Sequence, residues 1–188
     1  TTLPTGGNHY IFSRTNAGQY RPSTGNQYLD DFRITKGVAL YTGSTYTVPT
    51  SALGLYDNNP VSLYLPFDSD VNDDSPRSHT VTASGGAAIS STQAKFGGNS
   101  LALDGTNDFL IIPADDTLDF DGDYTVSGWF RSSDGSSGGT RVIFSGHPDS
   151  PTGLNIGIGP STKRFYAYAD GGTAEGSGVW SVDTWHHF

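Results

Sequence analysis

No stretch of this chain sustains an apolar period of 3.6, so nothing in it reads as an amphipathic helix. Short runs of Val, Ile, Leu, Thr, Tyr and Phe recur instead, each cut off after four to eight residues by Gly, Asn, Asp, Ser or Pro. Examples are His9-Tyr-Ile-Phe12, Val61-Ser-Leu-Tyr-Leu-Pro-Phe67, Ser100-Leu-Ala-Leu103 and Arg164-Phe-Tyr-Ala-Tyr168. Runs of that length between turn formers are strands that alternate side chains across a sheet. The pattern predicts an all-β protein, an antiparallel β-sandwich.

The acidic residues fit the same reading. Glu175 is the only glutamate among nineteen acidic residues, and all the others are aspartates. Glutamate favours helices, whereas the short aspartate side chain bonds nearby backbone N–H groups in turns. A formal charge of −9 argues against nucleic acid as a partner, because its binders carry basic patches. With no cysteine there is no disulfide framework, thiolate nucleophile or thiolate metal site. No apolar run is long enough to span a bilayer as a helix, so no membrane insertion is expected.

Tyr28 to Thr35 reads as an alternating strand, with Leu29, Asp31 and Arg33 on one face and Tyr28, Asp30, Phe32 and Ile34 opposite or flanking. Val38 to Tyr41 is a short apolar follow-on. Asp108-Phe-Leu-Ile-Ile112 is continuously apolar after its first residue, which predicts burial on both faces. In Asp123 to Phe130, Tyr124, Val126 and Phe130 share one face and Trp129 takes the other. Ser132 to Thr140, rich in Gly and Ser, reads as a loop, as does the Gly-rich segment around Glu175.

The loop Asp68-Ser-Asp-Val-Asn-Asp-Asp74 is the candidate metal site. Asp68, Asp70, Asn72, Asp73 and Asp74 place oxygen side chains at close intervals, which suits a calcium ion seeking six to eight oxygens. Asp108, beside the Asp104-Gly-Thr-Asn107 turn, could join from a second strand end. An EF-hand is excluded because the loop lacks the glycine at its sixth position and the terminal glutamate. A solvated loop of Asx turns accounts for the same residues, and both readings stand. Among the aromatics, Tyr166, Tyr168 and Trp180, with Tyr20 and Tyr46, are candidate platforms for stacking a sugar ring; packing inside the sandwich is the competing role for each. Retaining glycosidases need two carboxyls about 5 Å apart. One glutamate in a Gly-rich segment makes glycoside hydrolysis a poor fit, and the chain is not expected to be an enzyme. No Ser–His–Asp arrangement is identifiable, and no histidine spacing points to zinc.

Four segments resemble the laminin-G-like, concanavalin-A-like jelly-roll family common in phage and marine microbial proteins. Leu101-Ala-Leu-Asp-Gly-Thr-Asn-Asp-Phe-Leu-Ile-Ile-Pro113 is similar to its "LxLDGxxDYLxVP" strand pair. Leu118-Asp-Phe-Asp-Gly-Asp-Tyr-Thr-Val-Ser-Gly-Trp-Phe130 resembles its "LDFxxGDFTIxxWF" continuation, and Trp185-His-His-Phe188 its "WxHVALV" strand. Tyr28 to Gly37 with Val38-Ala-Leu-Tyr41 resembles the "IDDLRITKGVARY" segment that closes the domain. The resemblance implies a jelly-roll sandwich and places the closing strand before the opening ones. Residues 1–57 then look like the last third of one sandwich, 58–60 like a linker, and 61–188 like the first two-thirds of a second.

Three arrangements accommodate that order. The chain is a window on tandem domains; or copies complete one another head to tail; or residues 1–57 return to pair with 61–188 as a permuted sandwich. The first is carried forward, the second is its alternative, and the third has least weight. The resemblance also implies that an aspartate of the Asp30-Asp31 pair helps hold a structural calcium. The expected function is a non-catalytic module of an extracellular or virion structural or adhesion protein, with calcium-assisted glycan or cell-surface binding. Its partners are then other copies of itself, tandem laminin-G-like domains or cell-surface glycans. A fibre subunit joined by strand complementation is the alternative, and an accessory domain of a glycan-degrading enzyme a weaker one.

Overall fold

The computed structural model describes residues 6–12, 25–55, 60–135, 141–146, 153–159, 162–169 and 172–188. They form thirteen strands and one short 3-10 turn, Asp116–Leu118. The strands are β1 (His9–Ile11), β2 (Gln27–Lys36), β3 (Val61–Leu65), β4 (Thr82–Ser84), β5 (Ala88–Ser90), β6 (Ser100–Leu103) and β7 (Phe109–Ile112). They continue with β8 (Tyr124–Ser132), β9 (Arg141–Gly146), β10 (Asn155–Gly159), β11 (Arg164–Ala169), β12 (Gly172–Val179) and β13 (His186–His187).

Two antiparallel sheets pack face to face, the β-sandwich that the alternating runs predict. Sheet A runs β12-β11-β10-β9-β1-β7-β4; sheet B runs β13-β8-β2-β6-β5, with β3 also paired to β2. Between them lie Ile11, Leu29, Phe32, Ile34, Leu63, Leu65, Leu101, Leu110, Ile112, Phe130, Ile143, Phe144 and Ile158, all essentially inaccessible to water. Full burial of side chains of this size contributes roughly 1.5–3 kcal/mol each. No helix of the described residues is long and apolar enough to cross a membrane.

The division at 58–60 does not divide this fold. β1 lies between β9 and β7 in sheet A, and β2 lies against β8 on one side and β3 and β6 on the other. The two strands described from residues 1–57 are therefore interior strands of sheets otherwise built from 61–188, the arrangement given least weight from sequence. Both edges of β2 are taken within its own chain, so β2 is not available to complete a neighbour, and head-to-tail complementation through it is not carried forward. Asn58 and Asn59 of the expected linker lie outside the described residues; the Pro60 carbonyl accepts from Lys36 N and seals the end of the β2–β3 pair.

The alternation expected for β2 is broken at one residue. Asp31 has φ +52, and the register with β8 slips between Asp30 and Arg33. This is a β-bulge, which adds one residue and resets which face follows. Leu29 therefore shares the core with Phe32 and Ile34, not with Asp31 and Arg33. Neither aspartate enters the core. Elsewhere Leu110 and Ile112 are buried while Phe109 and Ile111 are only partly covered, so β7 alternates instead of burying both faces. Val38 to Tyr41 forms no strand. Its Leu40 N–H and Val38 carbonyl both bond the Thr125 hydroxyl, which lays the segment over the outside of sheet B. The segment around Glu175, expected as a loop, is strand β12.

Candidate functional site

The bulge in β2 places Asp30 and Asp31 on the outer side of sheet B, under two covering segments. Asp30 is fully buried. Its Oδ2 accepts from the backbone N–H of Lys95 at 2.7 Å and of Phe96 at 3.1 Å, while its Oδ1 is buried with no hydrogen-bond partner. Asp31, also buried, accepts from Leu53 N–H at 2.6 Å and from the Tyr64 hydroxyl at 2.9 Å. Arg33 donates to the carbonyls of Leu53 and Gly54, so the bulge ties down the 53–54 segment through both a carboxylate and a guanidinium.

Asp68 lies close enough for its charge to act on both. Its carboxylate lies against Gly97 so closely that a Cβ there would collide with Oδ1, and its carbonyl accepts from the Asn99 side chain. The segment Lys95-Phe96-Gly97-Gly98-Asn99 thus binds Asp30 with two N–H groups and cradles Asp68 with a glycine. Burial pushes the Asp30 carboxyl up to about 7; the Lys95 and Phe96 N–H groups pull it back, and the charges of Asp31 and Asp68 add to the rise. Burial also raises Asp31, against the Leu53 and Tyr64 hydrogen bonds, and Asp68 again contributes. The Asp30 carboxyl thus sits under the charges of two further carboxylates with one of its own oxygens buried and unpaired.

Gly97 has φ +59, where a side chain is strained by roughly 1–2 kcal/mol. Gly97→Ala adds to that the eviction of Asp68. The expected result is a melting temperature lower by about 5 °C at neutral pH, read by thermal unfolding; an unchanged value would show that Asp68 is not seated there.

Asp30, Asp31 and Asp68 are near enough to share charge effects, and the remaining metal candidates lie apart from them. Among the described residues no group of three or more His, Asp or Glu side chains is assembled to hold a metal ion. Asp70 closes an Asx turn on Asn72 N–H, and Asn72 and Asp74 are exposed. Burial, then the charges of Asp70, Asp73 and Asp68, raise Asp74. Asp108 accepts from Gly86 N–H and Asp104 N–H, pinning the 85–86 turn to the 104–108 turn. Asp73 accepts from Tyr64 N, Ser75 N, the Ser75 hydroxyl, His79 N and His79 Nδ1. For Asp70, Asp73 and Asp108 the turn-forming role is the one on display.

His79 reaches from Asp73 to Thr117, with Nε2 at 2.9 Å from Oγ1. The carboxylate, imidazole and hydroxyl are in line, but Thr117 donates its proton to Asp115 at 2.6 Å. A nucleophilic hydroxyl would hand its proton to the imidazole, so this chain of bonds works as a clamp on the 3-10 turn. His187 packs on Trp129 with ring centroids 5.2 Å apart and meets the Tyr46 hydroxyl at 3.0 Å. Burial first, then Arg33, pushes it down to about 4.

The three aromatic candidates separate. Trp180 is buried at 2% exposure, edge-on to Phe130 and capped by the Lys163 ammonium 4.4 Å above its ring; it is a core residue and not a platform. Tyr166 and Tyr168 stand on β11 on the side away from the core, since Phe165 and Ala169 take the inner side. Tyr20 lies outside the described residues; Tyr46 is exposed and tilts against Tyr41 at 4.7 Å. Comparison of the chain with family models, curated proteins and solved structures returns no match.

Sequence reading missed the 95–99 segment, although Gly97-Gly98 marked a place where backbone passes close to something else. It also missed that Glu175 sits on a strand, paired with Arg164 at 3.4 Å.

Proposed function

We propose that this chain is a non-catalytic β-sandwich module, laminin-G-like in type, of an extracellular or virion structural or adhesion protein. In this reading calcium binds beside the unpaired oxygen of Asp30, with Asp68 drawn in from its loop, and the module recognises glycans on a partner surface. The observation that carries it is the buried, unpartnered oxygen of Asp30 beside two further carboxylates. A buried anion with no countercharge is costly, and a hard divalent cation taking oxygen ligands relieves that cost. Calcium held by Asp30 and Asp68 would supply positive charge and tie β2 to the 68–74 loop; it would supply no reaction chemistry.

Two features favour a non-catalytic role. The carboxylates of Asp31, Asp73 and Asp108 are committed to backbone N–H groups or neighbouring side chains, and the sole glutamate is paired with an arginine. The extracellular or virion setting rests on the family resemblance of the four segments.

Thermal unfolding with and without calcium tests the metal. At pH 8, a millimolar excess of calcium over a chelated sample should raise the melting temperature by several degrees, because a ligand that binds only the folded state stabilises in proportion to the logarithm of its concentration over Kd. Magnesium should do less, since it prefers a smaller, octahedral shell. Identical curves in calcium and chelator remove the metal from the proposal.

A further inference from the structure

Residues 37–55 cross the outer face of sheet B as a strap that forms no strand. Each end is tied down. At one, the Leu40 N–H and the Val38 carbonyl bond the Thr125 hydroxyl of β8. At the other, Asp31 accepts from Leu53 N–H, and Arg33 donates to the carbonyls of Leu53 and Gly54. Between these anchors run residues 41–52, all exposed but Pro49. In the middle of that span the Tyr46 hydroxyl reaches down to β13, 3.0 Å from His187 Nδ1 and 3.5 Å from the His187 carbonyl.

Strand pairing sets His187 opposite Trp129 and Trp129 opposite Asp30. Directly opposed residues share a face, so His187 stands on the outer face beneath the strap. Its ring lies 5.2 Å from Trp129, 5.5 Å from Tyr46 and 6.1 Å from Tyr41. Its Nε2 is buried with no hydrogen-bond partner. Burial and then Tyr41 raise the Tyr46 phenol, so Tyr46 stays a hydroxyl at every acid pH and donates to a neutral Nδ1. An imidazolium has donors on both nitrogens and accepts nothing. Protonation therefore leaves the hydroxyl proton to the His187 carbonyl at 3.5 Å and puts a cation among aromatic rings under the influence of Arg33. The other titratable groups of this face are engaged or set apart. Asp31 accepts from Leu53 and Tyr64, Lys95 caps the Trp129 ring at 4.0 Å, Asp30 lies on the far side of Trp129, and His186 bonds Ser181 N.

We infer that Tyr46 and His187 form an acid-released latch: the strap is seated at neutral pH, and protonation of the imidazole lifts residues 41–52 off sheet B while both anchors hold. An imidazole in water takes its proton near 6.5, whereas burial first, then Arg33, pushes the seated His187 down to about 4. Between those values the lifted state binds a proton that the seated state refuses. Seating is thus fully favoured above about 6.5 and weakens as pH falls through 4, by up to ~300-fold in the equilibrium. The anchors do not share this response. Burial raises the Asp31 carboxyl, so acid favours the covered state at the 53–54 end, and the Thr125 end has no titratable partner in its bonds. The latch controls access to the outer face of β8 and β13.

Distances between paired nitroxide labels test it. The chain has no cysteine, so a Val48→Cys/Ser91→Cys protein carries one label on the strap and one on the body, and a Ser91→Cys/Thr106→Cys protein carries both on the body; all three positions are exposed. Pulsed electron paramagnetic resonance is recorded from pH 7 to pH 4 in chelator. The strap pair should show a longer, broader distance whose share rises at least tenfold over that range, while the body pair stays constant. His187→Gln, which keeps an acceptor oxygen for Tyr46 but takes no charge, should abolish the response. Tyr46→Phe, which removes the pin, should show the longer distance already at pH 7. A strap distance that does not change with pH overturns the latch. A response that survives in His187→Gln overturns the role of His187, and a Tyr46→Phe profile identical to that of the unsubstituted strap overturns the role of Tyr46. Body and strap pairs that change together would mean that acid loosens the sandwich as a whole, which also overturns it.

Discussion

At pH 8 in the presence of chelator, Asp30→Asn should melt roughly 10 °C above the unsubstituted protein. An aspartate in the unfolded chain releases its proton near 3.8, whereas the Asp30 carboxyl, raised chiefly by burial, holds its proton up to about 7. Between those values the folded state binds a proton that the unfolded state has given up. Stability therefore falls as pH rises through that window, and above about 7 the folded protein carries a buried anion. A shift of this size corresponds to ~4 kcal/mol. Asparagine keeps an oxygen for the Lys95 and Phe96 N–H groups but cannot ionise, so its stability should not fall there. The two proteins should melt together near pH 4 and diverge steadily to pH 8. Calcium should then close the gap from below, raising the unsubstituted protein at pH 8 while leaving Asp30→Asn almost unmoved. Parallel melting-temperature profiles over pH 4–8 would show that Asp30 ionises as an exposed aspartate does.

The sandwich was legible because the chain signals its strands locally. Ser100–Leu103 has the bounds that its turn residues mark, and the run Arg164 to Tyr168 becomes β11 with one residue added at its end. Three things were not legible, each for a physical reason. The bulge at Asp31 needs one non-glycine residue at positive φ, which costs local strain and is held there by contacts from Leu53 and Tyr64, far away in sequence. Strand β12, Gly-Thr-Ala-Glu-Gly-Ser-Gly-Val, has poor intrinsic strand preference and every residue exposed; its pairing to β11 is what makes it a strand. The seating of β1 and β2 inside sheets made by later segments depends on which edges are open, a property of the assembled sheets and not of any run of residues. The candidate site shows the same split. Asp30 and Asp31 were visible as a pair, but the bulge decides which way they face. Asp68 was visible in its loop, but its nearness to Gly97 was not.

Asp73→Ala is the second large effect, and it separates the two meanings that an aspartate-rich loop can have. Asp73 is buried and accepts five hydrogen bonds, from three backbone N–H groups, a serine hydroxyl and an imidazole, all between 2.7 and 2.9 Å. Truncation strands Tyr64 N in the middle of β3 and releases the 75–79 turn from the sheet. Each buried donor left unpaired costs about 1–3 kcal/mol, offset in part where water can enter. The expected loss is about 4 kcal/mol, or roughly 12 °C in melting temperature. Asp73→Asn should lose less, since it keeps one acceptor oxygen but turns an amide toward groups that also donate. The pH dependence runs opposite to that of Asp30. Burial pushes the Asp73 carboxyl up, but His79 and the backbone N–H groups outweigh it and hold it below the ordinary value. Its contribution is therefore present above that value and lost as acid protonates it, so the penalty of Asp73→Ala should shrink only at the acid end. It should also be the same in calcium and in chelator, because every bond Asp73 accepts comes from the protein. A penalty that grows with added calcium would make Asp73 a metal ligand, as the spacing of the 68–74 loop alone suggests. A penalty indifferent to calcium, set beside a calcium-dependent Asp30, would confine the ion to the side of the loop where Asp68 faces the bulge.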